Sequence, residues 1–198
     1  SSSATQLYRF TPETAPLAAT ENLLLDASGQ ALPFRQAVVG GRAVGVPGTL
    51  RMLELAHRQH GKLPWARLFE PAVALAEQGF AVSPRLHSLL AGETALKADP
   101  VAAAYFYQPD GTPHPVGHLL KNPELATVLQ AIARQGSKAL HEGEVAQAIV
   151  DKVTRHPGNP GRMSLAEIAQ TTAVSPETAK SRLRYARARL RETLEAHA

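Results

Sequence analysis

Proline placed directly after a helix-capping residue is the feature that most limits how this chain can fold. Ser83-Pro84 and Asn122-Pro123 each put a side-chain acceptor at an N-cap and a proline at the first helical position, where its missing N–H costs nothing. "NPELATVLQAIARQG" then carries Leu125, Val128, Leu129 and Ile132 as one apolar stripe and stops at Gly136. "GTLRMLELAHRQHG" has Leu50, Leu53 and Ala56 on one face and stops at Gly61. "GEVAQAIVDKVTRH" is a further helix, and "LPWARLFEPAVALAEQGF" reads as helix on either side of a break or kink at Pro71. Such punctuation reads as a succession of short helices.

The opening third is different. "FTPETAPLAAT", "DASGQALPF" and "VVGGRAVGVPGTL" read as turns and short extended pieces, with a strand in "VVGGRAVGV" and no compact helix. "YQPDGTPHPVGH" is a loop turning at Asp110-Gly111. "HPGNPGRM", residues 156–163, sets the expected boundary between a body, residues 1–163, and a tail, residues 164–198. Mainly α architecture with little or no sheet is the expected fold class.

At 198 residues and 44% apolar content the chain can bury a core. No cysteine is present, which removes disulfides and thiolate chemistry from consideration. No apolar run approaches the roughly 18 residues that a spanning helix needs, so no membrane partner is expected. The opening "SSSATQLYRF" has no apolar core of the signal-peptide kind, and Ser1 is read as a trimmed terminus rather than an N-terminal nucleophile. Net charge is +4, and six of the 21 basic residues crowd between Lys180 and Arg191. His57 with His60, and His114 with His118, have metal-like spacings, but neither pair has an acidic or cysteine companion and the second lies among prolines. No metal site is assigned; exposed or capping roles are expected, and packing roles for Trp65, Tyr105 and Tyr107.

The segments "ETAPLAAT", "LPFRQAVVGGRAVGVPGTLRMLELAHRQHGKLPWARLFEPAVALAEQGFAVSPRL", "DGTPHPVGHLLKNPELATVLQAIARQGSKALHEGEVAQAIVDKV" and "NPGRMSLAEIA" run in order from about Thr11 to about Ala169. Together they resemble the large subunit of gamma-glutamyltransferases. The resemblance implies a helical fragment of an N-terminal-nucleophile hydrolase αββα fold, cut from a precursor. It implies a reaction in which the threonine that opens the small subunit attacks the γ-glutamyl amide of glutathione, its own amine serving as base. The acyl group then passes to water or to an amino acid or peptide acceptor, with no metal or organic cofactor. In the family an arginine before "ETAP" takes the substrate α-carboxylate; here that position is Pro12, with Arg9 three residues earlier as a substitute. Nothing after Ala169 continues the resemblance, so no catalytic residue is assigned. The expectation is a chain inactive on its own, with a small subunit as the implied partner.

The tail "SLAEIAQTTAVSPETAKSRLRYARARLRETL" resembles the fourth-region helix-turn-helix of extracytoplasmic-function sigma factors. Ser164 and Glu167 form a capping box, Ser175 and Pro176 open a second helix, and Leu183, Ala186, Leu190 and Leu194 share one face of it. The resemblance implies DNA and RNA polymerase as partners. Thr178, Lys180, Ser181 and Arg182 would approach base edges or nearby phosphates, Arg184 and Arg187 the backbone, and Ser175 with its helix N-terminus a phosphate. Ala173 stands where that family has a turn glycine. Two partial resemblances in one chain point to a chimera. They also pull localisation apart: periplasm or cell exterior for the transferase part, cytoplasm for the tail and for the lack of a visible signal peptide.

Overall fold

The computed structural model describes residue 20 and residues 22–170, the side chain of residue 170 excepted. In chain order its helices are α1 (Phe34–Val38), α2 (Thr49–His60), α3 (Glu70–Gln78), α4 (Pro84–Gly92), α5 (Ala95–Ala98) and α6 (Pro100–Phe106). These are followed by α7 (Pro123–Gln135), α8 (Lys138–His141), α9 (Gly143–Thr154) and α10 (Leu165–Gln170). Sheet among the described residues is one antiparallel pair, β1 (Phe80–Ala81) with β2 (Leu119–Leu120), in the register Phe80 to Leu120. The architecture is mainly α.

Helix starts follow the cap-proline rule closely. Ser83 Oγ accepts from the Leu86 amide at 3.1 Å and Asn122 Oδ1 from the Leu125 amide at 2.9 Å. Asp99-Pro100, which the sequence reading passed over, obeys the same rule: the Asp99 carboxylate accepts from the amides of Val101 and Ala102 and opens α6. Gly136 ends α7 at φ 73°, with its N–H returning to the Ile132 carbonyl at 2.8 Å. Pro71 kinks nothing. It sits in the first turn of α3, and the break lies before it, at the end of a 3-10 turn over Trp65–Leu68.

One expectation is corrected. "VVGGRAVGV" contains no strand, and the stretch just before it forms α1. Pro33 presets the helical entry at φ −52°, Phe34 to Ala37 have no β-branched residue, and the helix stops short of Gly40, which lies at φ 115°. The chain then turns through a 3-10 segment, Gly41–Ala43, instead of extending.

Packing explains that turn. A Cβ on Gly41 would lie 1.8 Å from the Val153 carbonyl oxygen, and one on Gly161 would lie 2.2 Å from the Gly41 oxygen. Three backbones therefore touch: the 41–43 turn, the end of α9 and the 159–161 segment, whose Gly161 amide donates to Val153 O at 2.8 Å. Asn159 closes the seam by giving both amide hydrogens to carbonyls of the first segment, Gln36 O and Val39 O, each at 2.8 Å. Beneath it lies the core cluster of Ala146, Val153, Met163 and Ile168, with Val46, Ile149 and Val150 against it. Ile168 is fully buried, a contribution of about 1.5–3 kcal/mol for a side chain of this size. Elsewhere α3 lies along α7, and the Trp65 indole N–H pins the 3-10 turn to α7 through the Ile132 carbonyl at 3.1 Å.

Candidate functional site

Two grooves open on the described surface. The larger, about 760 Å³, runs between α5–α6, the start of α7 and α9, with Leu96, Tyr105 and Phe106 as its apolar wall and Lys121 at its edge. Asp99 and Lys152 form an ion pair across it. The hydrogen bond from Lys152, and then the Ala102 amide, hold the Asp99 carboxyl below the usual carboxylate range. Burial pushes the Tyr105 phenol up, away from ionisation. The groove offers a binding surface, and no hydroxyl or thiol in it is paired with a base.

The smaller groove, about 350 Å³, lies beside α1 and includes Arg35, Gln36, Arg42, His156 and Asn159. Its guanidinium groups are engaged structurally. Arg42 donates to the carbonyls of Leu23 and Leu25 at 3.3 and 3.0 Å, and Arg35 pairs with Glu93 at 3.2 Å. The Ala95 amide first, and Arg35 second, hold the Glu93 carboxyl down. His156 Nδ1 accepts from the Asn159 amide at 3.1 Å. Beside this groove Phe34 and Val38, one turn apart on α1, are 79% and 49% exposed.

The histidines work as local ties. His57 Nε2 meets the Leu63 carbonyl at 2.7 Å and its ring lies edge-on to Trp65, closing the turn after α2. His60 is exposed. His114 and His118 stack with centroids 3.9 Å apart, and His87 Nδ1 bonds the His114 carbonyl at 3.0 Å. Burial, and then the neighbouring His118, hold the His114 imidazole below its ordinary value. Among the described residues no three His, Asp or Glu side chains converge as a metal site would require. Tyr107 is a packing residue whose hydroxyl donates to Leu90 O at 3.0 Å.

Pro12 and Arg9 lie outside the described residues, as do Ser175, Thr178, Lys180, Ser181, Arg182, Arg184 and Arg187. The capping box does form. The Ser164 amide donates to Glu167 Oε2 at 2.8 Å, and the Glu167 amide to Ser164 Oγ at 3.2 Å. The helix it opens sends Ile168 into the core beside α9, so this helix packs as part of the body. Sequence reasoning missed the Asn159 and Gly41 seam; the paired glycines of "VVGGR" and "GNPGR" were its only written sign.

The short capped helices and the two-residue strand pair match part of the fold of gamma-glutamyltranspeptidases, which are N-terminal-nucleophile hydrolases. A crystal structure of Helicobacter pylori gamma-glutamyltranspeptidase superposes with a TM-score of 0.71 at 29% identity, over 80% of this chain and 44% of that one. The Gamma-glutamyltranspeptidase family profile matches residues 2–185, and the chain belongs to that family. Relatives include the glutathione hydrolase proenzyme of Arthroderma benhamiae, 33% identical over 171 residues, which are 85% of this chain and 28% of that protein. The glutathione hydrolase proenzyme of Bacillus subtilis is 35% identical over 147 residues, 74% of this chain and 25% of that protein. The chain thus spans about a quarter of the length of these relatives. The profile match continues across the expected boundary at residue 163.

Proposed function

We propose that this chain supplies the helical, large-subunit part of a γ-glutamyl hydrolase or transferase and acts on glutathione-like amides only with a second polypeptide segment that carries the nucleophile. The observation that carries this reading is the ordered match to glutathione hydrolase proenzymes, together with the helical body shared with the H. pylori enzyme. The exposed Phe34 and Val38 beside the smaller groove support a partner, because a large apolar side chain left in water forgoes about 1.5–3 kcal/mol of burial. Pro12 stands where the resemblance places an arginine for the substrate carboxylate. Proline offers no donor, so a completed enzyme binds its substrate poorly and Pro12→Arg lowers KM. The test is hydrolysis of a γ-glutamyl anilide by residues 1–198 with and without the purified small subunit of a relative. Turnover by the chain alone would refute the proposal.

A second reading, DNA recognition by the tail, draws on the Ser164–Glu167 capping box, which opens a helix where the sigma-factor resemblance requires one. Under it the boundary at residues 163–164 separates a body from a reader, and Ser175, Thr178, Lys180, Ser181, Arg182, Arg184 and Arg187 touch the duplex. Fluorescence anisotropy on promoter-like and scrambled duplexes at two salt concentrations decides it. Salt-sensitive preference for the promoter-like duplex supports the reader, and absence of binding at low salt removes it.

A further inference from the structure

Arg42 lines the smaller groove, half-buried, and the way it is held decides what it can still bind. Its Nη1 donates to two backbone carbonyls, Leu23 O at 3.3 Å and Leu25 O at 3.0 Å. A guanidinium is a rigid planar fork of five N–H groups, so fixing Nη1 also fixes the other two nitrogens. The edge formed by Nε and Nη2 is left over as a pair of parallel donors. Among the described residues it meets neither a hydrogen-bond acceptor nor a carboxylate. A planar carboxylate matches that edge, taking both N–H groups at once. A half-buried cation without a counter-ion also favours an anionic ligand.

The rest of the groove selects the same chemistry. His156 Nδ1 accepts from the Asn159 amide at 3.1 Å, which leaves Nε2 to carry the ring hydrogen as a further donor. Arg35 engages Glu93 and Thr94 through Nη2 alone. No residue lining the groove is acidic, and Glu93 is occupied by Arg35 and by the Ala95 amide at 2.7 Å. Leu32, Val39 and Ala95, each half-buried, supply an apolar wall. The volume, about 350 Å³, falls in the range of roughly 300–1,000 Å³ usual for small-ligand sites. We propose that this groove, between α1 and the 156–159 segment, binds a small organic carboxylate. The Nε–Nη2 edge of Arg42 takes the carboxylate, and Leu32, Val39 and Ala95 cover a compact apolar body. Inorganic phosphate fits less well, because it would leave the apolar wall in water.

Titration of the intact chain with phenylacetate, followed through the Arg42 Nε–H signal in ¹H–¹⁵N NMR spectra, tests the assignment. Phenylacetamide, the same body without the charge, and inorganic phosphate, a charge without the body, are the comparison probes. The expected result is a saturable shift of the Arg42 signal with phenylacetate, at an affinity about tenfold or more above either comparison probe. Arg42→Lys keeps the charge but loses the fork, and should weaken phenylacetate binding by about tenfold. Because Arg42 also ties down the Leu23 and Leu25 carbonyls, Ala95→Leu serves as a second variant. It fills the apolar wall, leaves those bonds in place and should weaken phenylacetate in the same sense. An Arg42 signal that does not move, an equal response to all three probes, or binding unchanged in both variants overturns the proposal. A response to phosphate that equals or exceeds that to phenylacetate also overturns it, as an anion resting on guanidinium groups. Binding is read without turnover, so the outcome does not depend on a segment that carries the nucleophile.

Discussion

Gly41→Ala probes the contact on which the body depends most. The added Cβ would sit 1.8 Å from Val153 O and 2.6 Å from the Gly161 amide nitrogen, both backbone atoms, whereas ordinary contact begins at 3.4 Å. The turn and the end of α9 must separate by about 1.6 Å, and no side chain can rotate away to spare them. Overpacking of this kind costs about 1–3 kcal/mol. The Gly161 amide bond to Val153 O, 2.8 Å long and at the same spot, is stretched or lost, adding about 1–3 kcal/mol for a half-buried donor left unmatched. The sum, about 2–6 kcal/mol, is a large fraction of the 5–15 kcal/mol typical of a domain. In urea, with a slope of roughly 1–3 kcal/mol per molar, the midpoint should fall by about 1 M or more. Gly45→Ala, at a glycine with open space around it, is the control and should leave the midpoint unchanged. A Gly41→Ala midpoint equal to wild type would mean that the three backbones do not meet as described.

Asn159→Ala removes both donors to Gln36 O and Val39 O and should cost about 1–3 kcal/mol, seen as a lower urea midpoint and faster hydrogen exchange over residues 36–43. Glu54→Gln removes the charge that the Ser137 hydrogen bonds and Arg58 favour, with an expected loss of about 1.5–3 kcal/mol at pH 7. Glu54 has a depressed pKa in the fold, so its contribution is present above its unfolded value of 4.5 and is lost as pH falls through the folded one; the two proteins should converge in acid. His114 is likewise depressed, so its neutral form stabilises the fold above about pH 6.5, and that contribution fades as pH falls from there through the folded value. His114→Gln should flatten this part of the stability profile, and an unchanged acid limb would count against the stacked pair.

The helices were legible because their signals are local. Ser83-Pro84, Asn122-Pro123, Gly61 and Gly136 each act within four residues of themselves, and the structure uses all four as written. Asp99-Pro100 was equally plain and was overlooked. The strand expected in "VVGGRAVGV" failed for a different reason: α9 and the 159–161 segment, more than a hundred residues away, demand glycine and a turn there. A sequence window cannot see that demand. The same limit hid the buried His141, whose ring lies between the carbonyl of Ser137, four positions earlier, and that of Pro47, 94 positions earlier. Family membership was legible because long ordered segments repeat a known pattern.

Hydrolysis of a γ-glutamyl anilide by the purified 198-residue chain, measured alone and after mixing with the small subunit of a related glutathione hydrolase, tests the central claim most directly. The account predicts no turnover alone and co-elution with the added subunit, accompanied by hydrolysis that Pro12→Arg strengthens. Turnover by the chain alone, or failure of a folded chain to engage the subunit at all, would contradict it.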